Sequence, residues 1–140
     1  MNEFVFSVPI VVRYGDLDPQ WHVNNARYLT YLEQARLAYL MHLGLFDGEN
    51  FFDINLIVAD IHITYRASIT LKQDVRVWIK TQTIGNKSLT FVYEIRDEKS
   101  GQVLSTAESV MVAYDYHQHK TIPVSSEWRQ AISKLEGKQF

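Results

Sequence analysis

The residues best equipped for chemistry lie together in Arg13-Tyr14-Gly15-Asp16-Leu17-Asp18-Pro19-Gln20-Trp21-His22-Val23-Asn24-Asn25. Asp16 and Asp18 supply carboxylates, His22 an imidazole that can carry a proton, and Asn24 and Asn25 are of a type that caps helices. The segment ends a strand-like stretch and leads into an amphipathic pattern, which sets a carboxylate beside a helix mouth. A helix N-terminus offers unpaired N–H groups and a partial positive charge. A carbonyl oxygen lodged there is polarised while the carboxylate attacks the carbon or directs water to it. That pairing points to acyl-transfer chemistry.

Within the segment, roles compete. Asp18-Pro19 also suits a plain turn, because aspartate bonds nearby N–H groups and proline fixes its own φ. Asp16 is the rival carboxylate: in an extended segment its side chain shares a face with that of Asp18, and otherwise it is a turn or structural acid. His22 either moves a proton or anchors the loop through hydrogen bonds. Asn24 and Asn25 read as caps in any case, and a cap at an oxyanion site serves both purposes.

The elements that must position these residues follow from periodicity. Phe4, Phe6, Val8, Ile10 and Val12 alternate as a first strand, which Pro9 confines to an edge or a bulge. Tyr28, Leu32, Ala35, Tyr39 and Leu43 recur at spacings of four, three, four and four, predicting a long one-faced helix. Asn24 or Asn25 caps its start, and Gly44 takes the left-handed conformation past its end. Alternation returns at Ile61, Ile63 and Tyr65, at Val75, Val77 and Ile79, and at Leu89, Phe91, Tyr93 and Ile95, with turn formers at Gly85-Asn86 and Asp97-Glu98-Lys99-Ser100-Gly101. A last strand carries Leu104, Thr106, Glu108, Val110, Val112 and Tyr114. Ser125 or Ser126 then caps a short helix holding Trp128, Ile132 and Leu135. One long helix followed by hairpin links excludes a parallel doubly wound sheet, which needs a crossover helix between strands. The expectation is a single α+β domain over residues 1–140, in two layers, with a mostly antiparallel sheet of about five strands.

A chain of 140 residues, 46% hydrophobic and 13% aromatic, supplies one real core. It has no cysteine, so a disulfide framework and a thiol nucleophile are both excluded, and the composition fits a reducing cytosol. Met1-Asn2-Glu3-Phe4 shows no basic stretch leading into an apolar one, and no apolar run approaches the ~20 residues that span a bilayer. A cytoplasmic protein with no membrane partner is expected. A net charge of −2 with interspersed signs lacks the basic stripe that holds a phosphate backbone, so no nucleic-acid partner is expected either. On a strand, His117 and His119 would face one metal ion, but no further ligand lies close in sequence and a polar strand end is favoured. No metal and no other cofactor is expected.

The segment from Arg13 to Pro19, with His22-Val23-Asn24-Asn25, Tyr28-Leu29 and Glu33-Gln34-Ala35-Arg36, closely resembles the N-terminal signature of hotdog-fold acyl-CoA thioesterases of the 4-hydroxybenzoyl-CoA thioesterase-like group. Ile63-Thr64-Tyr65-Arg66, Gly85-Asn86-Lys87-Ser88 and Tyr93-Glu94-Ile95 look like that family's sheet, so the likeness covers nearly the whole chain. It implies a hotdog fold, in which a curved sheet wraps the central helix and two subunits join edge to edge with active sites between them. A homodimer or homotetramer is therefore expected, and the exposed edge of a small sheet gives a physical reason for pairing.

The resemblance also implies roles. Asp18, the second aspartate of the Asp-x-Asp-Pro motif, is the catalytic carboxylate, as nucleophile or as general base, and the Asn25 N–H polarises the thioester carbonyl. The family carries a glycine-containing turn after the proline where this chain has Gln20-Trp21-His22. His22 is thereby a candidate to assist proton transfer and Trp21 to reshape the acyl pocket. Asn24 and Tyr28 are further substrate-binding candidates; Tyr28, Tyr31 and Tyr39 read as core by spacing, yet their rings would lie beside an acyl tunnel. Among Arg66, Lys72, Arg76 and Lys87, the selected cationic contacts for CoA are Arg66 and Lys87. The expected substrate is acyl-CoA or an acyl-carrier-protein thioester. The rivals are a hotdog hydratase or dehydratase acting on acyl thioesters, and a non-catalytic module that binds them.

Overall fold

The computed structural model describes residues 3–140. Met1 and Asn2, part of the N-terminal stretch read above for a secretion signal, lie outside the described residues. The elements run β1 (Ser7–Ile10), α1 (Asn25–His42), β2 (Leu56–Tyr65), β3 (Val75–Ile84), β4 (Ser88–Asp97), β5 (Gln102–Asp115), β6 (Lys120–Thr121) and α2 (Ser126–Glu136). The sheet order is β1-β3-β4-β5-β2, antiparallel throughout, with the two-residue β6 added beside β5. It curls into a half-barrel around a helix, the expected hotdog arrangement.

The Asn24 side chain caps α1 by accepting the Ala26 N–H at 2.9 Å, and Gly44 takes φ +75° just past the end. Tyr28, Leu32, Ala35 and Tyr39 are buried as their spacing predicts, joined by Tyr31 and Leu40. The helix is not one-faced, however. Leu29 and Met41 are 38% and 46% exposed, so a second apolar flank faces outward.

Leu89, Phe91, Tyr93 and Ile95 of β4 alternate in and out without a break and meet Val75, Val77 and Ile79 of β3 in the core. Phe91 packs edge-on against Tyr39 with ring centroids 5.5 Å apart. On β5 the phase shifts. The register slips between the pairs Ile95↔Ser105 and Arg96↔Val103, so Leu104 sits in a bulge and both Leu104 and Ser105 are buried. Beyond it the buried positions are Ser109, Met111 and Ala113, leaving Thr106, Glu108, Val110 and Val112 toward the other face.

Buried polar groups are paired. The Tyr93 hydroxyl lies 2.6 Å from Ser109 Oγ and accepts from Arg36 Nη1 at 3.3 Å. Tyr39 donates to Glu136 Oε2 at 2.5 Å, the same oxygen accepts the Thr81 N–H at 3.2 Å, and Thr81 Oγ1 lies 2.8 Å from the Tyr39 hydroxyl. This clasp fixes the end of α2 to α1 and β3. Ser125 caps α2 and buries its Trp128 and Ile132, as expected.

The two sheet edges differ. β1 has four residues, one of them the donor-less Pro9. β2 has ten, with Ile57, Val58 and Tyr65 at 41%, 42% and 46% exposed.

Candidate active site

The segment before α1 folds back on itself through backbone hydrogen bonds. Tyr14–Asp16 forms a 3-10 turn, and Leu17 pairs with Val23 in a single bridge. Inside that bridge the Asp18 N–H donates to His22 O at 2.8 Å and the Trp21 N–H to Asp18 O at 3.0 Å. The loop is moored outside by the Val23 N–H on Ile69 O and the Asn24 N–H on Asp16 O, each at 2.8 Å. Asp18 is half-buried, and its Oδ1 accepts the Gln20 N–H at 3.0 Å and the His22 N–H at 3.3 Å. Both bonds hold one oxygen in place. Oδ2 takes no hydrogen bond among the described residues.

Asp18 opens on a cleft of about 400 Å³ that His22, Asn25, Tyr28, Tyr65 and Arg66 also line. Asn25 is the first residue of α1, and its N–H has no partner among the described residues, as the geometry of a helix start requires. The cleft is thus lined by Asp18, whose Oδ2 is unbonded, and by Asn25, whose N–H is unbonded at the positive end of an 18-residue helix. Its wall is fixed by Tyr65, which donates to Asn25 O at 3.1 Å, and by Tyr28, which donates to Ala67 O at 3.3 Å. The two rings meet edge-to-face at 4.8 Å. Burial raises the Tyr28 pKa above its ordinary value, so this hydroxyl stays a donor. Arg66 Nε donates to Thr106 Oγ1 at 3.4 Å, placing a cation at the rim.

Asp16 goes elsewhere. The 3-10 turn breaks the extended geometry that would have aligned it with Asp18, and the residue is buried, 1% exposed. Oδ2 accepts the Arg13 N–H at 3.0 Å and the Tyr31 hydroxyl at 2.8 Å, while Arg13 and Arg27 approach Oδ1 at 3.4 and 3.9 Å. Burial alone would raise its pKa, but the Arg13 N–H, the Tyr31 hydroxyl and the Arg13 charge outweigh it and leave the carboxyl below its ordinary value. Tyr31 is shifted upward by burial and by the same carboxylate. Asp16 ties the loop to α1.

Of the residues singled out in the sequence, the cleft gathers Asp18, His22, Asn25, Tyr28 and Arg66. Asn24 is spent as the cap. Trp21 is 64% exposed and faces a neighbouring trough, and Lys87 lies exposed in the β3–β4 turn, outside this cleft. Alternation marks Tyr65 only as a strand residue; its position at the end of β2, opposite the helix start, depends on a fold-back that periodicity does not encode. His117 does not face His119 across a metal: its Nε2 lies 3.0 Å from Asp53 Oδ1, and that hydrogen bond raises its pKa. No cluster of three or more His, Cys, Asp or Glu suited to a metal occurs among the described residues. A larger cavity, about 660 Å³, lies further along α1 between Leu37, Leu40, Phe52, Ile57, Met111 and Tyr116.

Residues 12–132 match the Thioesterase-like superfamily. The chain is 32% identical over 126 residues to the long-chain acyl-CoA thioesterase FadM of Escherichia coli K12, covering 90% of this chain and 96% of that protein. It is 28% identical over 134 residues to the acyl-CoA thioesterase YbgC of Haemophilus influenzae, covering 94% and 96%. A thioesterase from Thermus thermophilus, solved with coenzyme A and Zn, superposes with a TM-score of 0.86 at 30% identity over 99% of both chains. The fold is that of a hotdog-type thioesterase. The chain belongs to the Thioesterase-like superfamily.

Proposed function

We propose that this chain hydrolyses acyl-CoA thioesters to a free carboxylic acid and CoA, with Asp18 as the catalytic carboxylate. Family, relatives and fold carry the thioester hydrolase; the residue roles rest on one observation, that Asp18 and Asn25, whose N–H is unpaired, line the same cleft. The thioester oxygen accepts from the Asn25 N–H, and the helix start stabilises the charge that grows there as the carbonyl carbon becomes tetrahedral. Asp18 Oδ2 either takes a proton from an attacking water or attacks the carbon itself, giving an anhydride that water then cleaves. Either way the C–S bond breaks, and the thiolate leaves with a proton that His22 is placed to supply.

The cavity along α1 suits the acyl group. From Thr30 to Leu40 the helix advances ~15 Å beside the start of β2, and the lining there is mostly apolar. With a long-chain enzyme among the relatives, a long acyl chain is the preferred substrate. The bare β2 edge and the exposed flank of Leu29, Met41, Phe51 and Phe52 support a homodimer joined through β2. No helix of the described residues is long and apolar enough to cross a membrane. The reading keeps the cytoplasmic location expected from the sequence.

A thiol-release screen over saturated and enoyl thioesters of CoA, from short to long, tests this, with Asp18→Asn as the silent control. Turnover rising with chain length supports the reading. Loss of enoyl absorbance without thiol would replace hydrolysis by hydration.

A further inference from the structure

Among the described residues that line the cavity beside α1, Arg36 carries the positive charge. It is half-buried, with Leu37, Leu40, Ile57 and Met111 in the same lining, and its Nη1 donates to the Tyr93 hydroxyl at 3.3 Å. That hydroxyl lies 2.6 Å from Ser109 Oγ, and burial raises its pKa, so the pair beside the guanidinium is neutral. No carboxylate among the described residues forms an ion pair with Arg36, not even Glu33 of the same lining. No buried side-chain nitrogen is left without a hydrogen bond among the described residues, so the guanidinium nitrogens beyond Nη1 reach accessible surface. A partly desolvated cation held only by a neutral hydroxyl favours an anion, and its fork of parallel N–H groups matches a carboxylate.

The position of Arg36 along the helix gives that preference a length. Eleven residues separate it from Asn25, which is three turns, ~16 Å, and a return to within about 20° of the same face. β2 follows the same path in reverse: it ends where Tyr65 meets Asn25, and it begins at Leu56, Ile57 and Val58 beside the cavity. Helical side chains lean toward the N-terminus, so the guanidinium stands nearer the helix start than its own backbone does. At ~1.3 Å of advance per carbon, an extended chain from the Asn25 N–H spans that interval with about ten to twelve carbons.

Resting on the thioesterase reading and its acyl cavity, we infer that Arg36 determines the substrate class: the acyl chain ends in a second carboxylate, which the guanidinium binds. The substrate is then the mono-CoA thioester of a dicarboxylic acid. Among long chains of equal length, the carboxylated one is turned over in preference to the methyl-ended one.

Paired CoA thioesters, methyl-ended and carboxyl-ended, from about six to about sixteen carbons test this by thiol release. The ratio of kcat/KM, carboxyl-ended over methyl-ended, rises to ~10-fold near ten to twelve carbons and is near one for the shortest pair. Arg36→Gln brings the ratio to about one at every length and leaves the methyl-ended values within about twofold. Arg36→Lys, which keeps a charge and a donor for Tyr93 but not the planar fork, retains a ratio of about threefold and separates lost recognition from lost folding. Calorimetric titration of Asp18→Asn with the same pairs reads the preference without turnover. Equal kcat/KM at all lengths with thiol still released would overturn the carboxylate reading and leave the hydrolase standing, as would a ratio that survives Arg36→Gln. Tighter binding of the carboxyl-ended thioester that Arg36→Gln abolishes, in a protein that releases no thiol, would keep the site and sink the hydrolase.

Discussion

Asp16 and Asp18 are the same residue type two positions apart, and the fold gives them opposite work. Asp16 is sealed under Tyr31 with both oxygens engaged. Asp18 keeps one oxygen for its own loop, leaves the other unbonded, and lines a cleft together with Asn25 at the helix start. What separates the structural carboxylate from the one proposed to react is which lone pairs are already occupied. The 3-10 turn at Tyr14–Asp16 makes the difference by rotating the first aspartate inward.

Substitutions sharpen that contrast. Asp18→Asn keeps an acceptor for the Gln20 and His22 N–H groups but removes the charge; kcat falls ~10²-fold or more while the melting temperature holds, as kinetics and calorimetry would show. Asn25→Pro deletes the cleft's N–H at a helical position that tolerates proline, and Asn24 at φ −58°, ψ 137° already has the backbone that a following proline needs. A folded enzyme with kcat lower by ~10²-fold is expected, and full activity would move the oxyanion contact elsewhere. Asp16→Ala reverses the pattern: stability drops by about 2–3 kcal/mol, a melting shift of about 6–12 °C. Tyr31→Phe removes one of the bonds to Asp16 and costs about 1 kcal/mol in denaturant unfolding.

The smallest effect is in acid. Because the folded-state pKa of Asp16 lies below its ordinary 3.8, its stabilising contribution is complete above that value and is lost as pH falls through the lowered one. Melting curves of the wild type should therefore steepen their decline below about pH 4 more than those of Asp16→Asn. Parallel curves would break the comparison.

Much of this architecture is legible in the chain. The helix is readable from Tyr28 to Leu43 because core packing imposes a 3.6-residue period, and β4 because it is covered on one face. The loop that lines the cleft is readable because Asp18, His22 and Asn25 fall within eight residues, so local chain geometry brings them together. Other features depend on distant parts. The Leu104 bulge inverts the faces of β5 through a slip against β4, which leaves no mark on its own alternation. Leu29 and Met41 carry no mark in the sequence of the exposure they keep once α1 buries its other side. Tyr65 enters the cleft, and Trp21 and Lys72 come to share a trough, only because the β2–β3 loop folds back to the start of α1.

The unequal borders of the sheet decide how far any assembly through it can grow. The β1 border is short and interrupted by an imino acid, so it offers a poor template for another strand. In the dimer proposed above, two copies meet along β2, and each buries its one extensible side and turns the blunt one outward. Such a union is self-terminating: it closes on a twofold axis instead of propagating into a fibre.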